Sequence, residues 1–96
     1  MTAKPYFYKI QHKITGKIYV GSQYGKKSDP HKFWISYFTS SKDILREIAE
    51  NGPDIFKIIK IKERNDARNF EERYLKKAYS LLGREKFLLV FYNRNI

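Results

Sequence analysis

One stretch limits the folds open to this chain: Tyr6 to Gly21, YFYKIQHKITGKIYVG. Tyr6, Tyr8 and Ile10 alternate with other residues, the pattern breaks at Thr15-Gly16, and Lys17-Ile18-Tyr19-Val20-Gly21 resumes it. Period-two alternation on both sides of a turn signal predicts a β-hairpin. With an even number of residues in the turn, Tyr8 and Ile10 share a face with Tyr19 and Gly21. Two phenols then meet over a glycine, whose missing side chain admits close approach by a ligand or another backbone. A cleft beside the two tyrosines is the functional expectation, and a plain aromatic core is the structural one.

Downstream of the hairpin the chain is well punctuated. Ser22 to His31, SQYGKKSDPH, is rich in turn formers and reads as a basic loop carrying Lys26 and Lys27. Phe33, Trp34, Tyr37 and Phe38 are spaced to share one side of a short helix over Lys32 to Phe38, mostly as core, with the Tyr37 hydroxyl free to reach the cleft. Ser40-Ser41-Lys42-Asp43 reads as a capping box with Ser40 as the N-cap. The helix it opens turns Ile44, Leu45, Ile48 and Ala49 inward and stops at Asn51-Gly52-Pro53. Its N-terminus, with two hydroxyls and Lys42, suits an anion as well as a plain cap. Asp54 to Glu63, dense in isoleucine, predicts a central strand added to the hairpin. Asn65 to Leu82 is then a long helix, opened by Asn65 or Asp66 and closed by Gly83.

The fold class expected from this order is α/β in the broad sense, more narrowly α+β: a small three-stranded antiparallel sheet flanked by helices. A chain of 96 residues is expected to form one domain over residues 1–96. Hydrophobic content of 42% and aromatic content of 17% exceed what a disordered chain carries, so the segment is expected to fold unaided.

Charge sets the partner. Twenty Lys and Arg against ten Asp and Glu leave a net +10, which calls for a polyanion. The basic residues are interleaved with aromatics, as at Lys4-Pro5-Tyr6 and Lys32-Phe33-Trp34, and this favours nucleic acid over a membrane surface. No apolar run approaches the roughly 20 residues of a spanning helix, and the N-terminus lacks a signal-peptide core. The absence of cysteine excludes thiolate metal sites and fits a reducing compartment. A cytoplasmic location, in a prokaryotic or phage-infected cell, is the expectation. His12 and His31 have no second ligand at helical spacing and read as surface residues.

The long helix contains one misplaced charge. At about 100° per residue, Ala67, Phe70, Tyr74, Ala78, Leu81 and Leu82 form an apolar band, and Glu71 falls inside it. Glu72 lies on the polar side between Arg68 and Lys76 and reads as an ordinary surface pair. An unpaired buried carboxylate costs several kcal/mol, so a glutamate here is expected to have a cation or hydrogen-bond donors beside it, a metal ion and a salt bridge to one of the lysines being the two candidates.

The hairpin and this helix together resemble the GIY-YIG endonucleases. Tyr6-Phe7-Tyr8 and, with ten residues between Tyr8 and Tyr19, Tyr19-Val20-Gly21-Ser22 are similar to the two halves of that family's signature, with Tyr6 and Phe7 standing where Gly-Ile is usual. Glu71-Glu72-Arg73-Tyr74-Leu75-Lys76 is similar to the family's Glu-x-x-hydrophobic-hydrophobic-Lys frame, in which the glutamate holds a divalent metal. Tyr92-Asn93 is similar to the family ending, an aromatic followed by Asn, with Asn95 as the competing assignment and a terminal turn as the structural one. The resemblance runs from Tyr6 to Asn93 and is nearest to a phage and homing-endonuclease branch.

That resemblance implies a metal-dependent DNA endonuclease with Mg²⁺ or Mn²⁺ bound at Glu71. It implies that Tyr8 helps deprotonate water or relays its proton, that Tyr19 orients the attacking oxygen or the phosphate, and that Asn93 orients the glutamate and phosphate. The family usually places an arginine on the first helix, whereas no Arg occurs here before Arg46. Lys26 and Lys42 are expected in its place, as point charges without the arginine fork, with Lys27, Lys32, Ser40 and Ser41 as further nucleic-acid contacts. DNA is the expected partner, with a separate DNA-recognition domain or a transient dimer implied beside it. A non-catalytic nucleic-acid-binding domain of the same fold and a structural basic protein are the rival readings.

Overall fold

Tyr6–His12 forms strand β1, which is buried along almost its whole length. Ile18–Gln23 returns beside it as β2, with Tyr8 opposite Gly21 and Ile10 opposite Tyr19. Inside the His12–Lys17 backbone bond, the four-residue turn Lys13 to Gly16 has Gly16 at φ 76°, the left-handed conformation that glycine adopts at no cost. The predicted sharing of a face by Tyr8, Ile10, Tyr19 and Gly21 is therefore the observed register. A computed structural model describes residues 3–94, so the alternative assignment at Asn95 lies outside the described residues.

Phe56–Glu63 forms β3, antiparallel to β1 on its other side, giving the sheet order β2-β1-β3. This corrects the expectation that the third strand is central. β1 holds the centre because it is buried along almost its whole length, with Phe7 packed on one face and Tyr6, Tyr8 and Ile10 on the other. β3 carries Lys57, Lys60 and Lys62, leaves most of its length exposed, and suits only an edge. A bulge between Lys9 and Ile10 shifts the β1–β3 register.

Lys42–Asn51 forms α1, Ala67–Leu82 forms α2 and Arg84–Val90 forms α3. The architecture is α+β, three antiparallel strands with three helices. Tyr6, Tyr8 and Ile10 face a core that includes Phe33, Ile44 and Phe56, against which Tyr19, Trp34 and Ile48 pack. Phe7 and Val20 face the opposite core, with Leu75 of α2 and Phe87 of α3. The sheet is thus a wall between two aromatic clusters. Among the described residues no helix is long and apolar enough to cross a membrane.

Several local expectations are corrected. Lys32 to Phe38 does not form a helix: a 3-10 turn over Pro30–Lys32, capped by Asp29, ends at once, and Trp34 takes φ 65° while its N–H donates to the Tyr37 carbonyl. The aromatics still face the core, because burying Phe33 and packing Trp34 and Tyr37 over it needs only their common side. The α1 N-cap is Ser41, whose Oγ accepts from the Ile44 N–H, one residue later than expected, and this frees Ser40. Leu45 and Ala49 lie on the outer side of α1, and Leu81 on that of α2, since neither helix is covered around its full apolar band.

His12 is the largest correction to the surface reading, being 4% exposed. It continues the inward parity of Tyr6, Tyr8 and Ile10. Its Nδ1 accepts the Ile14 and Thr15 N–H groups at 3.1 Å each, which leaves Nε2 to donate to Glu47 Oε1 at 3.4 Å. The Tyr92 hydroxyl donates to the other Glu47 oxygen at 2.6 Å. His31 is exposed as expected.

Candidate functional site

A groove runs between β2, α2 and the N-terminus of α1. Tyr19, Ser40 and Glu71 line it throughout. At one end Ser22, Tyr24, Arg68 and Lys76 complete the walls. At the other end Ser41, Lys42, Asn93 and Arg94 do so. Each half measures roughly 500 Å³ and so has ligand-pocket dimensions.

Glu71 reaches the groove because α2 lays the band of Ala67 and Leu75 against the sheet and Glu71 sits between them, one turn from each. Its Oε1 accepts from the Ser22 hydroxyl at 2.6 Å. Loss of hydration raises the Glu71 carboxyl above its ordinary value, the Ser22 bond partly offsets the rise, and the nearby Glu72 charge adds to it. Neither Lys nor Arg forms an ion pair with Glu71 among the described residues. Glu72 behaves as the sequence predicts, pairing with Arg68 at 3.6 Å. Its partner among the described residues is the Ser22 hydroxyl and not one of the lysines.

The donor chemistry suits a hard divalent cation. Mg²⁺ is commonly held by one or two carboxylates, with water and substrate phosphate oxygens completing its shell. Glu71 offers a half-buried oxygen ligand fixed by Ser22, and a cation beside it would reverse the cost of ionising it there. Among the described residues no three His, Asp or Glu side chains gather into a larger cage, so such a site rests on the single carboxylate.

Tyr19 stands over Gly21 at the groove floor, its ring 6.1 Å from that of Tyr8. Burial raises its phenol above the ordinary value, against which the Ser40 and Thr39 hydroxyls act. Tyr19 is therefore a protonated hydrogen-bond donor across the physiological range. Tyr8 lies beneath it with no exposed surface, its hydroxyl 3.1 Å from Thr39 Oγ1. Burial, then the neighbouring Tyr19, drives the Tyr8 phenol far above its ordinary value. Gly21 makes this stacking possible: a Cβ there would lie 2.4 Å from the Tyr8 hydroxyl and 3.0 Å from the Tyr19 ring.

Asn93 arrives from the end of the described chain. Its Oδ1 accepts from the Val20 N–H at 3.1 Å and its Nδ2 donates to the Val20 carbonyl at 2.8 Å, so the side chain pairs with the outer edge of β2 as another strand would. The Tyr92 N–H donates to the Ile18 carbonyl at 2.7 Å and extends the same pairing.

The predicted site residues thus separate into two groups. Tyr19, Lys42, Glu71, Asn93, Ser40 and Ser41 meet at one groove, with Tyr8 directly below. Lys26, Lys27 and Lys32 do not: they surround a different pocket on the loop after β2. Lys26 accordingly does not occupy the expected arginine's place, because the loop carries it away from Glu71. Two arginines the sequence reading passed over do line the groove. Arg68 lies 5.5 Å over the Tyr24 ring, and Arg94 pairs with Asp43. Arg68 had a signal, standing three residues before Glu71 on the same helix. Arg94 had none, since its position depends on where the chain returns after α3.

No protein-family model, no curated protein and no solved structure matches the chain.

Proposed function

We propose that this protein is a metal-dependent endonuclease that hydrolyses DNA phosphodiester bonds at the Glu71 groove. The observation that carries the reading is a half-buried carboxylate with no ion pair among the described residues, set opposite a protonated tyrosine in a groove whose lining carries Lys42, Lys76, Arg68 and Arg94 beside the acids Asp43 and Glu72. A carboxylate without a cation is a poor host for a phosphodiester. With Mg²⁺ or Mn²⁺ held at Glu71, the same groove takes one well.

Each residue then has a defined task. Glu71 holds the ion, and Ser22 fixes the carboxylate's orientation. A divalent ion supplies neutralisation of the developing phosphoryl charge and a lowered pKa for bound water. Tyr19 donates its phenolic hydrogen to a phosphate oxygen or the attacking oxygen, as a preorganised donor beside developing charge. Lys42, at the N-terminus of α1, meets a non-bridging oxygen with a point charge and the helix dipole behind it. Tyr8 is enclosed in this geometry and sets the height of Tyr19; it does not meet water directly. Asn93 positions Val20 and hence the whole tyrosine strand.

The test is cleavage of supercoiled plasmid and labelled DNA with Mg²⁺, Mn²⁺ or EDTA, comparing wild type with Glu71→Gln and Tyr19→Phe. Expected are metal-dependent cutting by wild type, loss of at least two orders of magnitude for Glu71→Gln, and retained DNA binding by both variants. Binding without any cutting by wild type would instead establish a non-catalytic DNA-binding module.

A further inference from the structure

The loop after β2 builds a second concave surface from Lys4, Lys26, Lys27 and Lys32, with Asp29 and Ser28 in its wall and a volume near 480 Å³. We propose that this lysine pocket is a second phosphate subsite, which seats the backbone of the nucleic acid flanking the Glu71 groove. The inference rests on the nucleic-acid part of the proposed function and is independent of cleavage.

Three observations support it. The first is the concentration of charge. Four lysines face one acid, and none of the four forms an ion pair among the described residues. Asp29 is already engaged, accepting from the His31 N–H at 3.0 Å and meeting the His31 ring at 3.3 Å. Its single negative charge, which also acts on Lys32, is outnumbered by the four lysines and leaves the pocket positive.

The second is that the frame is built, not slack. Ser28 is 3% exposed, and both its N–H and its hydroxyl donate to the Gly25 carbonyl, at 3.0 and 2.7 Å. The Lys4 N–H donates to the Ser28 carbonyl at 2.9 Å, tying the segment before β1 to the loop. Lysines on a fixed frame lose less freedom on binding than lysines on a loose one.

The third is continuity with the groove. β2 ends at Gln23, next to Ser22, which holds Glu71. Tyr24 follows, 53% exposed in the groove wall, and Lys26 comes two residues later. An exposed aromatic ring in the groove wall, two residues from the first lysine of the pocket, suits a strand whose base stacks there while its backbone runs on to the lysines.

The experiment measures DNA affinity in EDTA over a series of salt concentrations, using a labelled duplex and one of its strands. Wild type is compared with K26Q/K27Q/K32Q and with K57Q/K62Q/K77Q, a variant of equal net charge whose lysines lie on β3 and α2. Thermal melting checks that both variants fold. Each phosphate neutralised contributes about 0.9 to the log–log salt slope on duplex and about 0.7 on single strand. The pocket variant is expected to flatten the slope by about 2 while the control leaves it near wild type. Equal weakening by the two variants overturns the subsite and reduces the effect to net charge. No weakening by the pocket variant overturns it as well. Wild type that binds in this way yet never cuts would sink the nuclease reading and leave the subsite standing.

Discussion

A methyl group added at residue 21 has nowhere to go. It would meet the Tyr8 hydroxyl at 2.4 Å, and Tyr8 is fully enclosed, so Gly21→Ala forces one of two packed rings to move. The expected cost is about 1–3 kcal/mol, the usual range for overpacking. Thermal melting measures it, and an unchanged midpoint would mean that the two phenols are not stacked as described. Glu71 gives a second prediction at this scale. Its folded carboxyl ionises above the ordinary value, so the folded chain binds the extra proton. Its contribution to stability is present below the ordinary carboxylate value and is lost as pH rises through the raised one. Glu71→Gln is therefore expected to melt above wild type at neutral pH, the gap closing on acidification. Added Mg²⁺ or Mn²⁺ should raise the wild-type midpoint and leave that of Glu71→Gln in place; equal shifts in both proteins would place the cation elsewhere. The sequence disclosed Glu71 because helical periodicity needs only local spacing. It hid the role of His12, whose partner Glu47, itself bonded by the Tyr92 hydroxyl, lies far along the chain.

Among the elements, β2 depends most on a distant partner. Asn93→Ala would strip the Val20 N–H and carbonyl of their bonds. A buried group left unpaired costs about 1–3 kcal/mol, so a loss of about 2–4 kcal/mol is expected from the pair. Asn93→Asp keeps the acceptor but loses the donor, and should fall between. If denaturant titration finds Asn93→Ala as stable as wild type, water replaces the side chain at that edge. The hairpin and both long helices were legible because their signals are local: alternation, a serine cap and a terminal glycine. The rank of β3 in the sheet was legible in part, since Lys57, Lys60 and Lys62 along an isoleucine strand mark an edge. The conformation of Lys32 to Phe38 was not. Aromatic spacing reports which side is buried, whereas the 3-10 turn depends on Pro30, the Asp29 cap and the Trp34–Tyr37 backbone bond.

At the scale of the whole molecule the excess of positive charge was plain from composition, but its distribution was not. Lysines adjacent in sequence to the tyrosine strand are carried away by the loop, while Arg68 and Arg94 come to the groove from α2 and the final segment. With Arg68 and Arg94 paired to Glu72 and Asp43, Lys42 and Lys76 should give a salt slope of about −2 for duplex binding by the groove alone. A slope near zero at low salt would argue against a polyanion altogether. The way Tyr92 and Asn93 close the outer edge of β2 also fixes an order of events during synthesis. The ribosome releases the tyrosine hairpin first and residue 93 long afterwards, and until then the strand carrying Tyr19 has an open edge. A nascent chain therefore holds the parts of the groove without its assembled form. Under the function proposed above, the messenger and the ribosomal RNA that surround the chain while it is being made would be spared.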